Sequence, residues 1–282
     1  MDKIKIKDIN LLLLIMFPFT FLYVIPMSHI FMFIIIQVWA RKYDLKLRDI
    51  LHFEKVKLSM LLLSVLIAVL MKLEFFLLFF KSSIQTVKEY SSSLSLSVWL
   101  MFLAVILAPF VEELLCRGVL YNFYKKKGIL LALILSSIFF SLFHFNLNGL
   151  MGRFIIGVIL ALLYEITQCF WVPVLVHSSY NALTALFVFE QIIEPLQALI
   201  HWLKSDNSWF SAIKFWLISA VLWILIILIL LLIARISGNK IFDGQKLKNI
   251  SVIRNDEPII DIPLIVVFIL SVGMIVGRIV IS

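Results

Sequence analysis

The segment LMFLAVILAPFVEELLCRGVL, residues 100–120, decides how the whole chain is interpreted. Its first eleven residues, 100–110, carry no charge and have the composition of a membrane helix. Glu112, Glu113 and Arg117 then follow in the same stretch. Placing ionisable groups inside a bilayer is costly, and such residues usually face a bundle interior or a water-filled cavity and mark a functional site. The segment therefore predicts a membrane helix that carries part of a site.

The overall composition predicts a membrane protein. The chain has 282 residues, of which 63% are hydrophobic and 15% charged, and its mean hydropathy is +1.09. A membrane span needs about 20 predominantly apolar residues. We therefore expect an all-α, polytopic transmembrane helix bundle, with residues 1–282 as a single membrane domain and a catalytic core at about 98–190. The apolar runs predict about eight spans, at 11–38, 58–80, 98–120, 128–147, 150–168, 172–190, 210–235 and 262–281.

The net charge of +8 is best explained by loops on one side of a membrane. Lys and Arg gather in residues 41–57, 121–127 and 236–261, as expected for cytoplasmic loops. This distribution predicts that both termini lie outside, although Lys3, Lys5 and Lys7 argue for the opposite orientation. Nucleic acid is not an expected partner, whereas the lipid bilayer is. The chain is expected to be a multi-pass integral membrane protein, with the cell membrane as its location.

The first apolar run is expected to be an uncleaved span. It is longer than the apolar region of a signal peptide, and no A-x-A site follows it. Pro18 and Pro26 are expected to kink it. The loops 81–97, 148–153 and 191–209 are assigned to the opposite side from the basic loops. In the second span, Lys72 and Glu74 are spaced i, i+2 and do not face each other on a helix, so the sequence gives them no role.

The three charged residues of the opening segment divide into a pair and a single carboxylate. Neighbouring residues on a helix point about 100° apart, so Glu112 and Glu113 face different directions. Glu113 and Arg117 are spaced i, i+4, which favours an ion pair. Glu112 is then the residue that faces the cavity, where a carboxylate can serve as a general base. The structural alternative is an ion-pair cluster at a helix end.

Two later apolar segments contain histidines. Phe140 and His144 are one helical turn apart, so the aromatic ring can brace the imidazole. His177 and Asn181 share a helix face at i, i+4. Taken alone, each histidine has a structural alternative, since His and Asn also hydrogen-bond across packed membrane helices.

Together these groups suit the hydrolysis of an amide bond within the membrane. Glu112 and His144 would orient and deprotonate a water molecule. His177 and Asn181 would donate hydrogen bonds to the tetrahedral oxyanion. Glu112, His144 and His177 also make up a ligand set typical of catalytic zinc. Helix spacing does not decide between direct activation of water by Glu112 and a zinc site. A divalent metal such as zinc is therefore a candidate cofactor.

The sequence argues against other intramembrane protease chemistries. None of the nine glycines is followed two residues later by Ser, so the G-x-S of a serine site is absent. The aspartates all lie outside the predicted spans, so an aspartyl dyad has no candidates. No His is followed by Glu, which excludes an H-E-x-x-H zinc motif.

The polar residues occur in an order that resembles a known family. Glu112-Glu113-x-x-x-Arg117, Phe140-x-x-x-His144 and His177-x-x-x-Asn181 are similar to the three motifs of the CPBP intramembrane proteases, the CAAX prenyl endopeptidase and bacteriocin-processing (Abi) type. The flanking Ala108-Pro109, Arg117-Gly118 and Leu162-Leu163-Tyr164-Glu165 are also similar, and the resemblance covers about 105–185. Cys116 stands where that family often has an aromatic residue.

The resemblance implies a glutamate-dependent endopeptidase in which Glu112, His144 and His177 are catalytic, with metal dependence debated. The spacing arguments add Asn181 as a catalytic residue and Glu113, Arg117 and Phe140 as structural support of the site. The expected substrate is a membrane-anchored or lipidated peptide or protein, although the resemblance itself does not imply the natural substrate. The alternatives are a non-proteolytic membrane scaffold or bacteriocin-immunity factor on the same fold, and a transporter or lipid-modifying enzyme. A transporter would favour related halves and interrupted helices, and the sequence shows no internal repeat.

Overall fold

The computed structural model describes residues 4–18, 25–78, 102–145, 147, 149–186, 190–203, 209–238 and 258–281. This part of the chain is helical, which confirms the all-α prediction. The central helix, α5, is built from the consecutive pieces Leu103–Leu107, Ala108–Glu113, Leu114–Tyr121 and Asn122–Tyr124. The other helices are α1 (Ile6–Met16), α2 (Ile25–Lys42), α3 (Leu47–Ile50), α4 (Leu58–Leu78), α6 (Ile129–Leu142), α7 (Leu150–Thr167), α8 (Trp171–Leu186), α9 (Glu190–Leu203), α10 (Trp209–Ser237) and α11 (Ile262–Ile281).

The described residues confirm the predicted helical membrane bundle, but not every one of the about eight predicted spans corresponds to a long apolar helix there. By length and composition, α4, α7 and α10 are long and apolar enough to cross a membrane. Two shorter apolar helical stretches accompany them, α6 and residues Ile262–Val276 of α11. At about 1.5 Å per residue, the 14 residues of α6 extend roughly 21 Å, less than the ~30 Å hydrocarbon core of a bilayer. The protein is a helical membrane bundle with helices of unequal length.

Two predicted connections differ from the structure. The expected first span, 11–38, contains the end of α1 and most of α2 rather than one kinked helix. Helix α1 ends two residues before Pro18, because proline lacks the N–H and its ring clashes with the preceding turn. The predicted loop 191–209 contains most of α9. The predicted loops 81–97 and most of 236–261 lie outside the described residues.

Helix α9 was missed because it is amphipathic rather than uniformly apolar. Its Ile200 and Leu203 are buried against Phe76 and Leu77 of α4. Polar residues elsewhere on the same helix, such as Glu194, broke the apolar run that a span prediction requires. The predicted basic loop 121–127 is also helical. Helix α5 continues to Tyr124, and a 3₁₀ turn follows at Lys125–Lys127.

Helix α5 lies at the centre of the site and packs against α2, α6, α7 and α8. Two of its pieces, Leu103–Leu107 and Leu114–Tyr121, are π-helical. In the first of them, the backbone N–H of Ala108 donates to the carbonyl of Leu103, five residues earlier. Such wide turns are rare and often occur at functional sites, where they change the direction of the side chains that follow.

The turn between α7 and α8 is held by the loop that precedes α4. The backbone N–H of Glu54 donates to the carbonyl of Gln168 at 3.0 Å, and the N–H of Phe170 donates to the carbonyl of His52 at 2.8 Å. Gln168 adopts the left-handed region at φ +48°, which ends α7. This pairing fixes the start of α8, the helix that carries His177 and Asn181.

The structure explains the charged pair in the second span. Lys72 Nζ donates to Thr184 Oγ1 of α8 at 2.8 Å and lies 4.8 Å from the centre of the Tyr180 ring. Glu74 is fully buried and accepts from Ser219 Oγ of α10 at 2.5 Å. The i, i+2 spacing therefore directs the two side chains to different neighbouring helices, as helix geometry requires.

Helices α6 and α7 approach closely at Gly157. A Cβ atom at this position would lie 3.0 Å from Ser137 Cβ and 3.1 Å from Ser137 Cα. The same glycine presents its carbonyl to Arg117 of α5, whose Nη2 donates to it at 2.6 Å. The absence of a side chain thus brings α7 close to both α6 and the charged centre of the bundle.

We predict that Gly157→Ala destabilises the protein by about 1–3 kcal/mol, because the new methyl group overpacks against the backbone of α6. Thermal melting of the purified protein in detergent measures the effect. Gly273→Ala is the matched control, since a Cβ there meets nothing within 4 Å and the residue lies inside α11. Equal melting temperatures for the two variants would refute the close approach.

Candidate active site

A fully buried ion pair forms the base of the site. Glu113 and Arg117 on α5 are both 0% exposed. Arg117 Nη1 lies 3.1 Å from Glu113 Oε1 and 3.0 Å from its Oε2. The pairing predicted from the i, i+4 spacing is confirmed. The pair is the strongest constraint in this region, because a buried charge without its partner is strongly destabilising.

His177 of α8 bridges the two adjacent glutamates. Its Nδ1 lies 3.0 Å from Glu113 Oε1, and its Nε2 lies 3.8 Å from Glu112 Oε2. Glu112 and Glu113 point in different directions from α5. Both carboxylates nevertheless approach the His177 imidazole, because its two nitrogens lie on different edges of the ring. An ionised carboxylate only accepts hydrogen bonds, so the proton lies on Nδ1. In the neutral ring, Nε2 then carries a lone pair directed towards Glu112.

His144 approaches Glu112 from the other side. It lies in the turn after α6, and its Nδ1 donates to the backbone carbonyl of Phe140 at 2.9 Å. Since that carbonyl only accepts, the proton of the neutral imidazole again lies on Nδ1. Its Nε2 lies 3.9 Å from Glu112 Oε2, and the side chain is 34% exposed. The site therefore opens on the side of His144.

The two carboxylate oxygens of Glu112 have different environments. Oε1 accepts a hydrogen bond from His29 Nε2 of α2 at 3.1 Å. Oε2 is buried and has no hydrogen-bond partner among the described residues. Buried polar atoms are nearly always hydrogen-bonded, to protein or to water, so an unsatisfied one calls for an explanation. A water at about 2.8 Å from both Oε2 and a histidine Nε2 fits the separations of 3.8 and 3.9 Å.

Phe140 braces three groups of the site. Its ring centre lies 5.4 Å from that of His144 and 5.3 Å from that of His177, both with edge-to-face geometry. The Arg117 guanidinium lies 5.2 Å from the same ring centre. The predicted aromatic brace is present, and it supports both imidazoles and the guanidinium at once.

Asn181 lies one turn after His177 on α8, as the spacing predicts. Its Nδ2 donates to the backbone carbonyl of Ala104 at 3.1 Å, at the first π-helical piece of α5. An amide nitrogen carries two N–H groups, so this bond leaves the second one for a ligand. The predicted role of His177 as a donor to the oxyanion depends on which of its ring nitrogens carries a proton. With Nδ1–H directed at Glu113, Nε2 donates only when the ring is an imidazolium.

The predicted metal ligands do not fit a metal ion in this arrangement. No group of three His, Cys, Asp or Glu side chains in the described part of the chain comes close enough together to hold one. Ligands at 2.0–2.1 Å around a tetrahedral zinc lie roughly 3.4 Å from one another. The Glu112 oxygen lies 3.9 Å from His144 Nε2 and 3.8 Å from His177 Nε2. We therefore derive no step through a metal.

His29 was not predicted from the sequence as a site residue. This residue lies in α2, 83 positions before Glu112, and belongs to none of the three motifs. One signal was available, because an ionisable side chain within an apolar membrane segment is itself a reason to suspect function. The neighbouring Ser28 was a second signal, because it places another polar side chain in the same apolar run.

Comparison with known proteins identifies the segment that carries this site. Residues 94–183 match the family model of "Type II CAAX prenyl endopeptidase Rce1-like". Over 99 residues the chain is 27% identical to a Bacillus subtilis (strain 168) protein named "Putative membrane peptidase YdiL". That alignment covers 35% of this chain and 41% of the relative, so the chain matches less than half the relative's length. No solved structure gives a significant match.

We predict that Arg117→Ala destabilises the protein by about 3–5 kcal/mol, because it leaves Glu113 as a buried, unpaired charge. Thermal or denaturant unfolding in detergent measures the loss. The double variant Arg117→Ala, Glu113→Gln removes both charges and is expected to be more stable than Arg117→Ala alone. Unchanged unfolding of the single variant would show that the pair is not buried as described.

Proposed function

We propose that this chain, whose residues 94–183 match the family model of the Rce1-like type II CAAX prenyl endopeptidases, is an intramembrane endopeptidase. It hydrolyses a peptide bond of a membrane-embedded or lipidated peptide or protein, within the cell membrane. The observation that carries the proposal is the buried Oε2 of Glu112, which lacks a hydrogen-bond partner among the described residues and faces Nε2 of both His144 and His177. This geometry suits a carboxylate that activates water.

The reaction begins with a water held between Glu112 Oε2 and His144 Nε2. Glu112 takes one proton, and the water oxygen forms a bond to the carbonyl carbon of the peptide. The resulting oxyanion accepts hydrogen bonds from Asn181 Nδ2 and from His177 Nε2, whose ring has taken up a proton from solvent before the substrate binds. Glu113 supports this imidazolium form, since its carboxylate lies 3.0 Å from His177 Nδ1. The C–N bond then breaks, the proton on Glu112 passes to the leaving nitrogen, the second proton of the water stays on the new carboxyl group, and the products are a carboxylic acid and an amine.

The non-proteolytic alternative is a membrane scaffold or bacteriocin-immunity factor. Such a protein gains nothing from keeping these polar groups together inside a membrane bundle, where each is costly. The family match and the named peptidase relative both favour a protease. A scaffold would bind membrane partners without cleaving them, so a cleavage assay separates the two functions.

We predict that Glu112→Gln abolishes cleavage of a membrane-anchored peptide while the protein still folds. The amide keeps the shape of the side chain but accepts no proton from water. Purified protein in proteoliposomes, with the product identified by mass spectrometry, provides the measurement. Glu74→Gln is the matched control, because Glu74 is also a glutamate within a membrane helix but is fully buried against Ser219, away from the site.

The same assay tests the mechanism. Under the proposed water activation, the wild-type protein stays active in the presence of a chelator. Its protein-bound metal content is then near zero both with and without the chelator. Substantial cleavage by Glu112→Gln would remove Glu112 as the base. Loss of activity and of a bound metal on chelation, both restored by added zinc, would replace the proposed mechanism with a metal-dependent one.

We predict that His177 and Asn181 act as one unit in stabilising the oxyanion. His177→Ala and Asn181→Ala should each lower kcat by about 10²–10³-fold with little change in KM. The double variant should be scarcely worse than either single, because groups that act together are not additive. Steady-state kinetics of the three variants tests this. Fully multiplicative losses would show that the two side chains act independently.

A further inference from the structure

His29 brings a helix from outside the family match into contact with the catalytic carboxylate. Helix α2 packs against α5 and precedes the matched residues 94–183. His29 Nε2 lies 3.1 Å from Glu112 Oε1, and its side chain is 14% exposed. Its other nitrogen, Nδ1, lies 3.3 Å from Ser28 Oγ. The imidazole is therefore held between a hydroxyl and the carboxylate.

The chemistry of these neighbours sets the direction of the hydrogen bonds. The ionised carboxylate of Glu112 only accepts, so His29 Nε2 carries the proton and donates to Oε1. The Ser28 hydroxyl can donate to Nδ1 and so hold the neutral ring in this tautomer. His29 thus carries its proton on Nε2, whereas His144 and His177 each direct an Nδ1–H at a neighbouring acceptor.

We propose that His29 is a positioning residue for Glu112. Its hydrogen bond occupies Oε1, fixes the plane of the carboxylate and leaves Oε2 as the oxygen that faces the two catalytic histidines. The proposal rests on the proposed hydrolytic function, because it assigns His29 to the same reaction. It goes beyond the three motifs, since it makes a residue of α2 part of the active site.

The hydrogen bond from His29 also affects the pH range in which Glu112 is ionised and can accept a proton. A donor to a carboxylate stabilises its ionised form, so removing the donor makes the carboxyl take up its proton at a higher pH. The other groups that face Glu112 are His144 at the end of α6 and His177 on α8. Glu113 lies behind His177, and Arg153 of α7 acts on Glu112 through its charge. These groups are unchanged in a His29 variant, so a difference from wild type reports His29.

Two substitutions at His29 separate positioning from packing. His29→Leu fills the space without a donor, whereas the amide of His29→Gln can reach Oε1 with an N–H group. We expect His29→Leu to lower kcat by about 10–100-fold with KM nearly unchanged, the size typical for loss of an outer partner of a catalytic group. The acid limb of its pH–activity profile should move to higher pH. His29→Gln should restore most of kcat and the wild-type limb.

His201→Gln on α9 is the matched control for a His-to-Gln change away from the site, and it should leave the kinetics unchanged. All variants are compared with wild type by thermal melting in detergent. The proposal is overturned if His29→Leu keeps the wild-type kcat and pH profile. It is also overturned if the Leu and Gln variants lose activity equally with the same loss of melting temperature, because that pattern indicates a packing role.

A measurement that needs no substrate separates this proposal from the proposed function. The infrared C=O band of protonated Glu112 is obtained as the difference between each protein and its Glu112→Gln counterpart. It should appear at a higher pH in His29→Leu than in wild type or His29→Gln. If wild type cleaves no peptide yet this shift is observed, the proposed function fails and the positioning role stands. An unshifted band in His29→Leu refutes the positioning role whatever the protease assay shows.

Discussion

The buried ion pair of Glu113 and Arg117 is the interaction on which the site depends. Both side chains are fully buried, so neither charge can be compensated by solvent. Arg117 also donates to the Gly157 carbonyl, which ties α5 to α7. Glu113 accepts from His177 Nδ1, which ties α5 to α8 and sets the tautomer of that ring. The pair thus fixes three helices and the chemistry of one catalytic imidazole together.

The same arrangement separates the roles of two neighbouring glutamates. Glu113 is held by ion-pair contacts with Arg117 and His177, so it supports the structure. Glu112 is bound at one oxygen by His29, while its other oxygen has no partner among the described residues. Adjacent residues on a helix diverge by about 100°, and the opposite edges of the His177 ring let both carboxylates meet one imidazole. A single turn of α5 therefore supplies both the anchor and the proposed base.

Much of this centre could be predicted from sequence, because it depends on local spacing. The i, i+4 rule gave the Glu113–Arg117 pair and the shared face of His177 and Asn181, and one-turn spacing gave the Phe140 brace. His29 was missed because its contact with Glu112 spans 83 residues and has no local pattern. The same holds for Asn181 with Ala104, for Lys72 with Thr184 and for Glu74 with Ser219, all of which depend on helix packing. The lengths of the individual spans could not be predicted, because α6 is shorter than the hydrocarbon core of a bilayer and α9 is amphipathic.

The most direct test of water activation by Glu112 is a single-turnover cleavage in H₂¹⁸O, followed by mass spectrometry of both the product and the protein. Direct attack by the activated water places one ¹⁸O in the new carboxylate of the product and none in the Glu112 side chain. Label in Glu112, with an unlabelled product carboxylate, would instead show that Glu112 attacks the peptide carbonyl itself, which would contradict its assignment as a general base.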